Sequence, residues 1–144
     1  MAKTILQVED DEDDVFLLRH AMDKVEPGCL LSVASDGQMA IDYFKGSGKF
    51  HDREAFPLPA LVLLDLKLPQ LPGLEVLKWM RSEAGLDVPV IILSSSKNKH
   101  DISAAYKLGA NAYLVKPSDP GQLLEMAKLV RGFWLVQNTL PPAH

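Results

Sequence analysis

Apolar residues along this chain follow two alternating patterns. Short, nearly continuous runs recur as "KTILQV" (3–8), "CLLSVA" (29–34), "ALVLLD" (60–65), "VPVIILSSS" (88–96) and "NAYLVKP" (111–117). Their length and richness in β-formers predict five strands. Between the runs, apolar positions step by three and four, as on one face of a helix. Val15, Leu18, Met22 and Val25 form the first stripe, and Ala40, Ile41 and Phe44 the second. Leu74, Val76, Leu77 and Met80 form the third, "DISAAYKLGA" is a short fourth helix, and Leu123, Met126, Val130 and Phe133 mark the fifth. Pro27-Gly28 stops the first helix, Gly85 closes the third, Gly109 the fourth, and Asp119-Pro120 suits the start of the last.

Strand and helix therefore alternate five times, the signature of a parallel sheet with helices on both faces. "ALVLLD" lacks a polar alternation, as expected of a strand covered on both sides. A length of 144 residues suits one such domain. A net charge of −4 argues against a basic nucleic-acid face. The single cysteine, Cys29, has no partner for an intramolecular disulfide. The N-terminus has the pattern of neither a signal peptide nor a membrane span, so a cytoplasmic protein is expected.

In open parallel sheets, ligands bind beyond the carboxyl ends of the strands. Glu9 and Asp10 follow the first run, Asp65 the third, Ser94 to Ser96 the fourth, and Lys116-Pro117 the fifth. In a parallel sheet all of them meet at one edge. Three crowded carboxylates repel one another, and a hard divalent cation such as Mg²⁺ relieves that repulsion through oxygen ligands. A lysine and a hydroxyl could hold the oxygens of an incoming phosphoryl group. The chemistry suggested is phosphoryl transfer to a carboxylate, giving an acyl phosphate. No P-loop motif is present.

Six carboxylates run consecutively from Glu9 to Asp14. They divide by expected role. Glu9 and Asp10 end the strand and face the metal. Asp11 caps the following helix, and Glu12, Asp13 and Asp14 fill its first turn, where the helix dipole favours negative charge.

The acidic pair in "QVED", the aspartate in "LLDLKLPQLPG", the hydroxyl in "VIILSS" and the lysine in "YLVKP" resemble, in this order, the receiver domain of two-component response regulators. The resemblance spans roughly residues 3 to 131. It implies a flavodoxin-like (βα)5 fold, a doubly wound five-stranded parallel sheet in the order 2-1-3-4-5. It implies Asp65 as phosphoacceptor, Asp10 as a direct magnesium ligand, Glu9 as a ligand through water, and the backbone carbonyl of Lys67 as a further ligand. Mn²⁺ or Ca²⁺ could take the same place in crystals. Ser94 becomes the switch hydroxyl, Lys116 the phosphoryl-binding cation, Tyr113 the aromatic switch, and the Lys116–Pro117 bond is expected to be cis. Glu9 stands where aspartate is usual in the family. Lys67 occupies the position that tunes dephosphorylation, and its long arm is expected to obstruct attacking water.

A narrower resemblance rests on "KTILQVEDDEDD", "FKGSGKFHDREAFPLPALVLLDL" and "FWLVQNTLPP". These are similar to the small response regulators paired with bacterial phytochromes. The similarity implies a light-sensing histidine kinase as donor and a homodimer; the downstream protein that reads the switch is unknown, and neither a membrane nor a nucleic acid partner is expected. The expected division is a receiver domain over 1–131 and a C-terminal extension over 132–144. Phe133, Trp134 and Leu135 are the candidate dimer arm. The stretch from Lys45 to Pro59 is long for a βα unit and is expected to be a surface loop. Two other functions stay open: a receiver-like scaffold without phosphorylation, and a hydrolase with an aspartate nucleophile. Lys67 counts against the hydrolase, because such enzymes commonly carry a second aspartate there.

Overall fold

The computed structural model describes residues 3–142, so the last two positions of the expected extension lie outside it. Five strands, β1 (Thr4–Val8), β2 (Leu30–Ala34), β3 (Leu61–Leu64), β4 (Val90–Ser94) and β5 (Ala112–Val115), form one parallel sheet in the order β2-β1-β3-β4-β5. Five helices alternate with them: α1 (Glu12–Val25), α2 (Gly37–Lys45), α3 (Gly73–Lys78), α4 (Lys99–Lys107) and α5 (Pro120–Val130). This is the flavodoxin-like arrangement. No helix among the described residues is long and apolar enough to cross a membrane.

The two-residue period of the strands sorts the core into two halves. Leu6, Val8, Val62, Leu64, Val90 and Ile92 face α2, α3 with its π-helical continuation over Trp79–Glu83, and α4, where Ala40, Tyr43, Val76, Leu77, Met80 and Ala105 cover them. Ile5, Leu61, Leu63, Ile91 and Leu93 point the other way, onto Leu18, Ala21 and Met22 of α1 and Ala127 and Val130 of α5. Gln7 shares the parity of Ile5 and is buried on that second side.

Four helices begin on a side-chain cap that satisfies otherwise orphaned N–H groups. The Asp11 carboxylate accepts from Asp13 and Asp14 N–H at 2.9 and 3.3 Å. Asp36 accepts from Met39 N–H, Asn98 from His100 N–H, and Asp119 from Gly121 N–H with Pro120 in the first turn.

Two segments differ from the expectation. The stretch after α2 is a packed lobe. Phe50 is buried, and Tyr43, Phe50 and Phe56 pack ring against ring at centroid distances of 5.0 to 6.1 Å. Arg53 donates to the carbonyls of Tyr43, Phe44 and Phe56, closing the end of α2. Tyr43 falls off the simple apolar stripe because its ring is buried while its hydroxyl reaches Pro57 O at 2.7 Å.

The chain beyond α5 also departs. It continues without a break into a π-helical turn over Arg131–Gln137, in which Asn138 N–H bonds Phe133 O, five residues back. That wider turn shifts the helical phase. Leu135, rather than Phe133, lands on the core, and the Lys3 ammonium donates to the Leu135 carbonyl. Trp134 packs beside it, while Phe133 and Val136 point outward. Of the three expected arm residues, Leu135 is thus committed to its own chain and Trp134 partly so.

Candidate functional site

Glu9, Asp65 and Lys116 are each carried one position past a strand by a continuation of the ladder; Asp10 lies one residue beyond Glu9, and Ser94 is the last residue of β4. Glu9 N–H bonds Ala34 O at 3.0 Å, Asp65 N–H bonds Val8 O at 3.1 Å, and Lys116 N–H bonds Ser94 O at 2.8 Å. The backbone of Asp65 is pressed against the start of α3. A Cβ on Gly73 would lie 2.1 Å from Asp65 O, so only glycine permits that approach.

Lys116 is the centre of the cluster. Its ammonium donates to Glu9 Oε1 at 2.5 Å, Asp14 Oδ2 at 2.9 Å and Asp65 Oδ2 at 3.0 Å. The other Asp65 oxygen accepts from Lys67 N–H at 3.4 Å. Glu9 Oε2 accepts from the N–H groups of Asp10 and Asp11 at 3.1 and 3.3 Å. Glu9 and Asp65 are buried, at 3% and 6% exposure, whereas Asp10 is open to solvent.

The electrostatics follow from that burial. Desolvation pushes the Glu9 carboxyl up to about 7; its hydrogen bond to Lys116 opposes the rise, and the nearby charge of Asp65 adds to it. Burial alone would pull Lys116 down, but its bonds to Glu9, Asp14 and Asp65 outweigh that and hold it above its ordinary value. The lysine therefore stays an ammonium at neutral pH.

Glu9, Asp10 and Asp65 can each place one carboxylate oxygen within 4.8 Å of the others. Three hard oxygen donors, two of them buried and one exposed, suit a divalent cation with water in its remaining positions. The raised proton affinity of Glu9 comes first from its burial and only secondarily from the Asp65 charge, and a cation bound between them would favour the ionised form. The donor set fits the metal site that the sequence suggested.

Among the described residues, no hydrogen bond joins Ser94 or Tyr113 to the carboxylate cluster. The buried Ser94 hydroxyl accepts from Ser96 N–H at 3.2 Å. The Tyr113 hydroxyl donates to Ser96 O at 2.8 Å, and Ser96 Oγ donates to Asp101 Oδ2 at 2.6 Å. Both expected switch residues thus converge on one segment, the turn between β4 and α4. The Lys67 side chain is exposed.

The expected cis Lys116–Pro117 bond is not observed: no peptide bond among the described residues is cis. The trans form is intrinsically favoured by about 0.5–1 kcal/mol even before proline. Lys116 reaches all three carboxylates from it, so the cluster does not demand the cis form.

Asp14 is the residue that sequence reasoning assigned elsewhere. Placed with the helix's first turn, it also belongs to the site. A signal existed: Asp14 lies four residues before Leu18, on the same helical face as Leu18, Ala21 and Met22. The apolar stripe, extended back by one step, lands on it.

A family model for the response regulator receiver domain matches residues 5–128. The chain is 35% identical over 142 residues to the response regulator Rcp1 of Synechocystis sp., an alignment covering 98% of this chain and 95% of that protein. The crystal structure of the Mn(2+)-bound form of Rcp1 superposes with a TM-score of 0.85 at 35% identity, over 97% of this chain and 99% of that one. The phosphorylated cyanobacterial phytochrome response regulator RcpA superposes with a TM-score of 0.90 at 34% identity, over 99% and 100% of the two chains. Response regulator RPA3017, in red light signaling of R. palustris, gives 0.90 at 36% identity, over 98% and 99%.

Proposed function

Because this chain belongs to the response regulator receiver family, we propose that it accepts a phosphoryl group on Asp65 from a sensor histidine kinase and acts as a phosphorylation switch in bacterial phytochrome light signalling. The observation that carries this reading is the setting of Asp65: a buried carboxylate at the end of the central strand, held by Lys116 and flanked by Glu9 and Asp10. The phytochrome assignment draws on similarity over nearly the full length of RcpA, RPA3017 and Rcp1.

The transfer is a displacement at phosphorus. An oxygen of Asp65 attacks the phosphorus of a phosphohistidine, the O–P bond forms as the P–N bond breaks, and the bonding pair leaves with the imidazole nitrogen. A magnesium ion held by Asp10, Asp65, the Lys67 carbonyl and, through water, Glu9 would supply positive charge against that gathering on the phosphoryl oxygens. Lys116 gives the protein's own cation to one of those oxygens. Ser94 turns from Ser96 N–H toward another. Tyr113, tied to the same turn, follows and alters the surface of α4 and β5 that a downstream protein reads. The chain works in the cytoplasm, beside the kinase domain that feeds it.

The test is incubation with magnesium and acetyl phosphate, from which the same attack releases acetate. Intact mass rises by one phosphoryl group in the wild type and stays unchanged in Asp65→Asn. Absence of uptake by the wild type would leave a scaffold in its place. A homodimer is part of the reading, supported by the outward Leu129, Phe133 and Val136. Deleting residues 133–144 then lowers the mass in solution to that of a monomer, and an unchanged mass would remove this surface from the account.

A further inference from the structure

The ammonium of Lys116 has three N–H donors, and all three are engaged, by Glu9, Asp14 and Asp65. Two of these acceptors, Glu9 and Asp65, are also members of the carboxylate group suited to a cation. Asp14 is not. It approaches from α1, and it lines with Lys116, Gln7, Leu18 and Leu123 a small cavity of about 40 Å³ between the sheet, α1 and α5. Its own place is set by the helix start, where its N–H bonds the Asp11 cap. The lysine side chain is 17% exposed and that of Asp14 38%, so the pair closes the solvent side of the cluster.

We infer that Asp14 is a positioning residue for Lys116, holding its ammonium beside Asp65 from a direction that neither a cation nor a phosphoryl group on Asp65 occupies. The inference rests on the reading of Asp65 as phosphoacceptor. A phosphoryl group converts one Asp65 oxygen into an acyl phosphate oxygen, a poorer acceptor, and the N–H that it held turns to the phosphoryl group. A cation draws on Glu9. Asp14 is then the one carboxylate of the three left with no second claim on it. Lysine carries its charge on a flexible four-carbon stem. Without Asp14 that stem is no longer fixed toward Asp65 when the phosphoryl group arrives. The opposite role, a competitor that draws Lys116 away, has the opposite sign in experiment.

Wild type, Asp14→Asn and Asp14→Glu are compared for phosphoryl uptake from acetyl phosphate with magnesium. The Lys116 ammonium signal is followed by nitrogen-resolved proton NMR in protein saturated with magnesium, where the cation draws on Glu9. Asp14→Asn slows maximal uptake about 10-fold, as misplacement of a charge-stabilising group does, while half-saturating acetyl phosphate changes little. Asp14→Glu recovers most of the rate. The ammonium signal, sharp in the wild type, broadens into solvent exchange in Asp14→Asn. Uptake by Asp14→Asn as fast as wild type or faster, or an undiminished ammonium signal in it, overturns the inference. If the wild type takes up no phosphoryl group, the phosphoacceptor reading falls. The NMR comparison then decides the placement of Lys116 alone, with a lost signal supporting it and a retained one overturning it.

Discussion

Asp14 Oδ2 and Lys116 Nζ lie 2.9 Å apart although 102 positions separate them in the chain. That contact joins the first turn of α1 to the residue that follows β5, the last strand of the sheet. It also separates Asp14 from its neighbours in the acidic run.

Asp10, Asp13 and Asp14 should respond to substitution in three different ways. Asp10→Ala removes a cluster carboxylate, so magnesium affinity and phosphoryl uptake are both lost. Asp13 serves only the helix start, and Asp13→Ala costs about 0.3–1 kcal/mol of stability with uptake intact. Asp14→Asn keeps metal affinity and slows uptake. Isothermal titration with Mg²⁺, urea unfolding and intact-mass kinetics on the three variants distinguish the classes; indistinguishable behaviour would refute the division.

Glu9 links stability to pH. Its carboxyl is raised from 4.5 to about 7 in the folded chain, so the native state binds the extra proton in that window. The stability of the wild type relative to Glu9→Gln is therefore fully present below 4.5, falls between 4.5 and about 7, and is flat above. Lys116, also raised, contributes stability that is present below 10.5 and lost as pH climbs through its higher folded value. Urea titrations in chelator across the neutral range measure the first effect. Saturating Mg²⁺ should flatten it, because a cation favours ionised Glu9. A constant difference between the two proteins in chelator would show that Glu9 is not perturbed.

Gln7 is 2% exposed, and its Oε1 has no hydrogen-bond partner among the described residues. A buried acceptor left without a partner costs about 1–3 kcal/mol. Gln7→Met, close in shape and free of that acceptor, should stabilise the fold by roughly 1 kcal/mol. Equilibrium denaturation reads this directly. A loss of stability would mean that the carboxamide is satisfied.

Lys67 is exposed two residues beyond Asp65, with its N–H bonded to Asp65 Oδ1 at 3.4 Å. A long cationic arm there would hinder water approaching an acyl phosphate on Asp65. Lys67→Asn should shorten the phosphoryl lifetime about tenfold, on the order of 1.4 kcal/mol of barrier. Decay of the phosphorylated mass after donor removal measures it. An equal or longer lifetime in the variant would discard the hindrance.

The alternation of short apolar runs with three- and four-step stripes was enough to determine the layers, because burial on a sheet face and on a helix face imposes different periods. The same pattern located Ser94 at a strand end and Glu9, Asp10, Asp65 and Lys116 just beyond strand ends, since a parallel sheet gathers all such ends on one edge. Caps at Asp11, Asp36, Asn98 and Asp119 are local features carried by a few consecutive residues. What tertiary structure decided was of another kind. Whether Asp14 faced solvent or Lys116 depended on how α1 docks beside α5. Whether Phe133 or Leu135 turned inward depended on a π-helical turn whose wider hydrogen bonds reset the phase. The stretch after α2 became a packed lobe because Arg53 found carbonyls at the end of that helix. Periodicity reports which face of an element is apolar. It does not report which polar groups meet when two such faces are brought together, and that is where Asp14 acquired its place.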